Sequence, residues 1–317
     1  MTVRNYYPVV AAMVVAVLFG FSFLFTKVVL DYLQPFQLIG LRFALAAASL
    51  SILALFGLIK LNIKLGQLTD LLKVAIWQPV LYFTCETYGV KFTTASESGV
   101  IISLIPVMVA VLSFFILKER VSLKQGFFIA SAVFGVVLMV LGGTAGSGGS
   151  PGQHLLGVAI LFGAVLSGGF YSIFSRQASE KYSTTDITFV MMWLGAVVFN
   201  IIGLVQSYLN GQLGNYAAAL VQPQVINGLL YLGILSSVVA FFLLNYSLSR
   251  LPAPRVSVFL NLIPVISVIA GVAFNNEVLG VWHLVGGSFI LLGVWGTNYF
   301  GQEDTSENHS EELKVSV

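Results

Sequence analysis

The chain is 317 residues long, 57% hydrophobic and only 9% charged, with a formal net charge of +2 and a mean hydropathy of +0.93. A soluble domain carries about 25% charged residues, so this sequence cannot build a water-facing surface, and a lipid bilayer is the solvent that fits it. The single cysteine, Cys85, excludes an intrachain disulfide, and His154, His283 and His309 show no ligand spacing, so they read as loop or helix-end residues and neither a metal nor another cofactor is expected.

Apolar stretches near the length that crosses a bilayer as a helix, about 20 residues, recur along the chain. The first, 8–29, follows a short polar start with Arg4; it is longer than a signal-peptide core and reads as a retained first helix. The second, 36–58, carries Arg42, and the third, 73–91, carries Glu86 within WQPVLYFTCETYG. The fourth, 97–117, contains Pro106 and ends in the basic turn Lys118, Glu119, Arg120 and Lys124, before the fifth at 122–142. A Gly- and Ser-rich linker, 143–152, precedes spans at 154–176, 185–206 and 225–249; it lacks the lysine and regular spacing of a phosphate loop. The ninth, 256–275, contains Pro264, the tenth covers 280–300, and the polar segment 301–317 reads as a disordered tail. The tightest breaks are 91–97 and 275–279. The runs are unbroken and about twice the length of barrel strands, which disfavours a β-barrel.

Charge tests the count. With the N-terminus inside, 12 of the 15 Lys and Arg residues fall in internal segments, and Lys27, Arg42 and Lys91 are the exceptions. This bias predicts a multi-pass plasma (inner) membrane protein with both termini cytoplasmic. The two halves also resemble each other. The segment LIPVMVAVLSFFILKERV from Leu104 matches LIPVISVIAGVAFNNEVL from Leu262 at an offset of 158, pairing Pro106 with Pro264, Glu119 with Glu277 and Gly135 with Gly293. The same offset pairs Tyr88 with Tyr246, and FSFLFTK from Phe21 matches FYSIFSR from Phe170. Five is odd, so a second five-helix unit must run opposite to the first. The expected fold is an all-α membrane protein of ten transmembrane helices in two inverted repeats, 1–142 and 153–300, a plan common among secondary transporters.

These residues resemble the EamA family of the drug/metabolite transporter superfamily. The resemblance rests on PFQLIGLRFALAA from Pro35, YGVKFTTAS from Tyr88 and SLIPVMVAVLSFFILKERVSLKQ from Ser103. The second half adds NYSLSRLPAPRVS from Asn245 and NLIPVISVIAGVAFNNEVLGVWHLVGG from Asn261. It implies a central cavity lined by helices three, four, eight and nine, peripheral fifth and tenth helices that support dimers in some members, and export or exchange of small organic solutes. The second half departs from the pattern where Met191 stands near the place of Arg42.

Within that frame, Pro106 and Pro264 each remove a helical hydrogen bond and are candidate bends or gates. Pro79 and Pro223 read as first-turn prolines. Glu86 needs a partner inside a membrane, and Arg42 or Lys27 at similar depth could supply it; a structural ion pair, a substrate contact and a proton-coupling role all remain open for it. Trp77, Gln78, Tyr82, Tyr88 and Ser98, with Asn245, Tyr246, Ser257 and Asn261, are candidates for a mixed aromatic and polar cavity wall that suits an amphipathic solute. The expected function is secondary export of amino acids or related metabolites by alternating access, without covalent chemistry. The partners are the solute and the lipid bilayer, with no nucleic acid; proton coupling stays open, as does the choice between monomer and homodimer. A non-transporting scaffold or a membrane enzyme is the alternative.

Overall fold

The computed structural model describes residues 6–63, 68–118, 121–141, 150–251 and 253–315, apart from the side chains of 68, 117, 253, 254 and 302–315. Lys64, Glu119, Arg120 and most of the linker expected at 143–152 lie outside the described residues.

Among the described residues every regular element is helical, and there is no strand. Eight helices are long and apolar enough to cross a membrane. They are α1 (Tyr7–Leu30), α2 (Pro35–Leu55), α4 (Ala95–Ile116), α5 (Leu123–Leu141), α6 (Pro151–Ser179), α7 (Thr184–Leu209), α8 (Pro223–Arg250) and α9 (Arg255–Asn275). The remaining long stretches are α3, assembled from Leu68–Ala75, Ile76–Leu81 and Tyr82–Phe92, and α10, Val281–Val315.

The helix starts follow from local chemistry. Proline occupies the first turn of α1, α2, α6 and α8, where its missing N–H is not needed. Ser150 and Ser183 cap α6 and α7 by accepting the N–H of Gln153 and Asp186. One difference from expectation has a physical cause. A short helix, Leu213–Ala219, stands in the loop after α7, because Tyr216 and Ala219 pack on the apolar cluster around Val29, Leu33 and Leu38.

The same irregularities recur in both halves. Wide π-type turns occupy Ile76–Leu81 in α3 and Tyr231–Val239 in α8. Left-handed residues end α4 at Lys118 and α9 at Asn276, positions related by the offset of 158. Gly57 after α2 and Gly211 after α7 also have positive φ, which a glycine adopts without steric penalty.

Packing completes the bundle. α2 lies against α7, α3 against α6, α1 against α8 and α9, and α5 against α10. The α5–α10 contact requires glycine: a Cβ on Gly135 would stand 2.5 Å from the Gly286 carbonyl oxygen, and one on Gly286 would stand 2.5 Å from that of Gly135. Small residues that let backbones approach in this way drive helix association where lipid removes the hydrophobic drive.

Candidate functional site

A cavity of about 540 Å³ lies at the centre of the bundle, lined by parts of α1, α2, α3, α4, α8, α9 and α10. Its wall is mainly apolar and aromatic, with Phe19, Phe23, Tyr82, Phe83, Phe241 and Trp295 among the lining residues. Two charged side chains reach it, Arg42 and Glu86, each at most 5% exposed.

The helix irregularities set this chemistry. Gln78 has φ −144° and ψ 116°, which breaks α3 just before Pro79 and places Gln78, Tyr82 and Glu86 along the cavity wall. Pro79 thus lies inside the helix rather than in its first turn, because α3 begins at Leu68, a turn earlier than the apolar run suggested. Pro223 does open its helix. In α8 the π-type turn presents Ser236 and Ser237 to α2, and Gly233 packs closely on α2, where a Cβ would meet Leu45 and the Arg42 carbonyl oxygen. Arg42 Nε donates to Ser237 Oγ at 3.1 Å and Nη2 to Ser236 Oγ at 3.4 Å. Its guanidinium carbon sits 4.6 Å from the centre of the Phe83 ring, a cation–π arrangement. Arginine carries five N–H donors, so donors remain for a ligand.

Glu86 receives only one described hydrogen bond, from Thr87 Oγ1 to Oε2 at 3.3 Å. Arg42 and Glu86 form no ion pair among the described residues. Both charges therefore face one space without neutralising each other through contact. A buried charge in a membrane protein belongs at a water-filled pathway or against a partner, and both of these border a single, mainly apolar chamber.

The prolines open into the same space. α4 is interrupted at Ser103 and Leu104, and its helix resumes at Ile105 with Pro106 in the first turn. α9 repeats this at Asn261 and Leu262, with Pro264 in the first turn of the resumed helix. Ser103, Pro106, Asn261 and Pro264 all line the cavity.

Other candidates stand elsewhere. Trp77 stacks on Phe170 at 4.3 Å between ring centres. Tyr88 packs edge-on against Phe36, and Ser98 is buried against Thr93 and the Thr94 carbonyl. Asn245 lines a separate small recess beside Thr188 and Ser237. Tyr246 is more than a third exposed, and Ser257 is half-buried outside the cavity lining. Lys27 does not reach Glu86. Its ammonium donates to the carbonyls of Val90, Lys91 and Thr93, which terminate α3 and have lost their helical partners. The expectation that α10 is peripheral also needs correction: Leu291, Val294 and Trp295 line the cavity, because α10 packs on α4 as well as α5.

The cavity closes at one end. A Cβ on Gly99 would collide with Ser267, so α4 and α9 touch there. Beyond that contact lies a buried polar cluster that the spacing of its members in sequence conceals. Glu277 accepts from Ala95 N at 2.7 Å, Ser96 N at 3.0 Å and Ser96 Oγ at 2.5 Å, capping α4 from the opposite half. His154 and His283 each bring Nε2 to Glu97 Oε1, at 2.9 and 2.8 Å. The T-x-x-E capping box of Thr94 and Glu97 was the readable signal for this turn. At the other end Val258, close to the α8–α9 turn, lines the cavity.

Comparison with known proteins places this architecture. The model of the EamA-like transporter family matches twice, over residues 7–141 and 155–299. An uncharacterized transporter of Bacillus subtilis (strain 168), YcxC, is 34% identical over 290 residues, covering 91% of this chain and 92% of the relative. A protein of Escherichia coli (strain K12) named a probable amino-acid metabolite efflux pump is 24% identical, with 92% and 94% covered. One crystal structure aligns with a TM-score of 0.57 at 17% identity, covering 93% of this chain and 98% of its own, and speaks to the fold alone.

Proposed function

The chain belongs to the EamA-like transporter family, and from that premise we propose that it is a secondary transporter exporting small zwitterionic or amphipathic organic solutes, such as amino acids or related metabolites, across the plasma membrane by alternating access. One observation carries the reading: buried Arg42 and Glu86 share an aromatic-walled cavity with no direct salt bridge between them. Arg42 offers N–H donors to a carboxylate, Glu86 offers oxygens to an ammonium group, and the rings between them suit an apolar side chain. A scaffold would have no use for two buried charges on an open chamber.

The topology proposed is ten crossings, the eight long apolar helices together with 68–92 and 281–300. Two five-helix halves then run in opposite directions. Support comes from the recurrence of the π-type turns, the proline breaks and the positive-φ residues in both halves. The Lys and Arg bias puts the α4–α5 and α8–α9 turns in the cytoplasm. The polar cluster around Glu97 then closes the outer end, and the Val258 end of the cavity faces inward. Exchange between this arrangement and its mirror, with Pro106 and Pro264 as hinges, would move solute across.

The test is solute flux in sealed vesicles of purified protein, over a panel of amino acids and uncharged and cationic analogues. The reading expects flux of zwitterions that falls at least about tenfold with Arg42→Met and with Glu86→Gln, corresponding to loss of one charge-assisted hydrogen bond. Equal flux of wild type and both variants would overturn it.

A further inference from the structure

The sealed end contains chemistry that the solute cavity does not use. Glu97 lies in the first turn of α4, His154 in the first turn of α6 and His283 near the start of α10. All three are buried, none more than 6% exposed. Glu97 Oε2 accepts from the backbone and hydroxyl of Thr94 at 3.2 and 3.3 Å, while Oε1 is shared by the two imidazoles. Three helices drawn from both halves thus meet on a single carboxylate oxygen.

The proton inventory of this cluster is incomplete. A neutral imidazole has one N–H and one bare nitrogen. With each Nε2 directed at Glu97 Oε1, the carboxylate is satisfied by neutral histidines, and each Nδ1 is left to take up a further proton. His283 Nδ1 is buried with no hydrogen-bond partner in the structure, and His283 and Glu97 both line a second cavity, of about 190 Å³, between α4, α5, α9 and α10. An orphaned buried nitrogen beside an anion, at the wall of a cavity, is a vacant proton acceptor. From these observations we propose that Glu97, His154 and His283 form a proton-binding site that holds this end of the molecule shut.

The other charges at this end come from each neighbouring element. α1 contributes Lys27, which hydrogen-bonds to the α3 terminus, and Asp31; α3 contributes Lys91, bonded to Gln34 Oε1; the α9–α10 turn contributes Glu277, committed to capping α4. The ammonium groups bond to neutral carbonyl and amide oxygens and keep their charge, and Lys27 also interacts electrostatically with Glu277, Asp31 and Glu97; the added proton has its directly bonded counter-charge at Glu97. Opening this end requires α4 to part from α6 and α10, which separates the histidines from the carboxylate. The closed and open arrangements therefore bind protons unequally, and the one that surrounds the proton with an anion is favoured as pH falls. Gly99, at the closed end of the solute cavity, is only two residues from Glu97, so the proton site and the seal move together. On the export reading of the preceding subsection, proton uptake at this end would close the molecule after solute release.

The experiment reads the histidines directly. Protein labelled at the histidine Cε1 carbons is titrated by NMR in detergent, with signals assigned by His154→Gln, His283→Gln and His309→Gln. Replacing either histidine should change the curve of the other, and Glu97→Gln should change both. Glu97→Asp, which keeps the charge on a shorter arm, serves if the glutamine variant fails to fold, and must also change both curves. A second readout is amide exchange of residues 95–99, compared between wild type and Glu97→Gln at one pH at a time. The excess protection of wild type should be roughly tenfold larger near pH 5.5 than near pH 8. Independent histidine curves indifferent to Glu97, or equal protection ratios at both pH values, would overturn the proposal. No solute is present in either measurement, so a wild-type protein that carries no flux would refute the transport reading and leave this site to be decided by its titration.

Discussion

Replacing Glu277 by glutamine should loosen the turn that seals the central cavity. The carboxylate receives four hydrogen bonds: from Ala95 N and Asn275 Nδ2 to Oε1, and from Ser96 N and Ser96 Oγ to Oε2. It is 7% exposed, so water does not replace what is lost. Glutamine keeps the shape but turns one oxygen into an NH2 group, which faces donors and can accept from none of them. Two of the four bonds are lost and the other two lose their charge assistance. With bonds to charged groups worth about 1.5–3 kcal/mol each, and partial retention through rearrangement, the net loss is about 2–4 kcal/mol. At about 1.4 kcal/mol per decade, local opening at the start of α4 becomes roughly 30- to 1,000-fold more frequent. Hydrogen–deuterium exchange with fragment mass spectrometry at one fixed pH measures this on residues 95–99. Protection that stays within about threefold of wild type in a folded Glu277→Gln protein would refute the capping argument.

Three further outcomes follow from the packing. Gly135→Val should lower stability in detergent by about 1–3 kcal/mol, because its side chain would meet the Gly286 carbonyl, whereas Gly126→Val, with open space around its Cβ, should stay within about 0.5 kcal/mol in the same thermal melt. Trp77→Ala should lower stability by about 1–3 kcal/mol through loss of its stack on Phe170, seen as a lower melting temperature, yet leave the apparent solute affinity in a vesicle uptake assay within about twofold; a large affinity change would return Trp77 to the cavity wall. Met191, buried against Leu71 and Ala75, stands where the first half has Arg42, so Met191→Arg should unfold or severely destabilise the protein by burying an unpaired charge, as seen in expression yield and melting.

Much of the scaffold was readable because a bilayer imposes length. Eight of the expected crossings coincide with long apolar helices to within a few residues, and α4 and α9 break at Ser103–Leu104 and Asn261–Leu262, with Pro106 and Pro264 in the turn that follows. Azimuth was harder. When apolar side chains face both lipid and protein, hydrophobic period does not say which face turns inward. That is why Trp77 was grouped with Gln78, although successive helical residues point about 100° apart and the break at Gln78 turns them further. Lys27 was offered to Glu86 on the basis of depth alone, but the unpaired carbonyls at the end of α3 were nearer and equally in need of a donor. His154, His283 and Glu97 were invisible as a group because 57 and 186 residues separate the two histidines from the carboxylate. Only the packing of three helix starts at one end of the bundle brings them together.

The central claim is alternating access to a solute site, and counterflow tests it most directly. Vesicles preloaded with an unlabelled zwitterionic amino acid that the protein carries are diluted into a trace of the labelled form. Label should accumulate transiently above its equilibrium level, an overshoot abolished by Arg42→Met, because each turnover outward returns the site loaded. Uptake that is the same with and without preloading, rising in proportion to concentration, would contradict it.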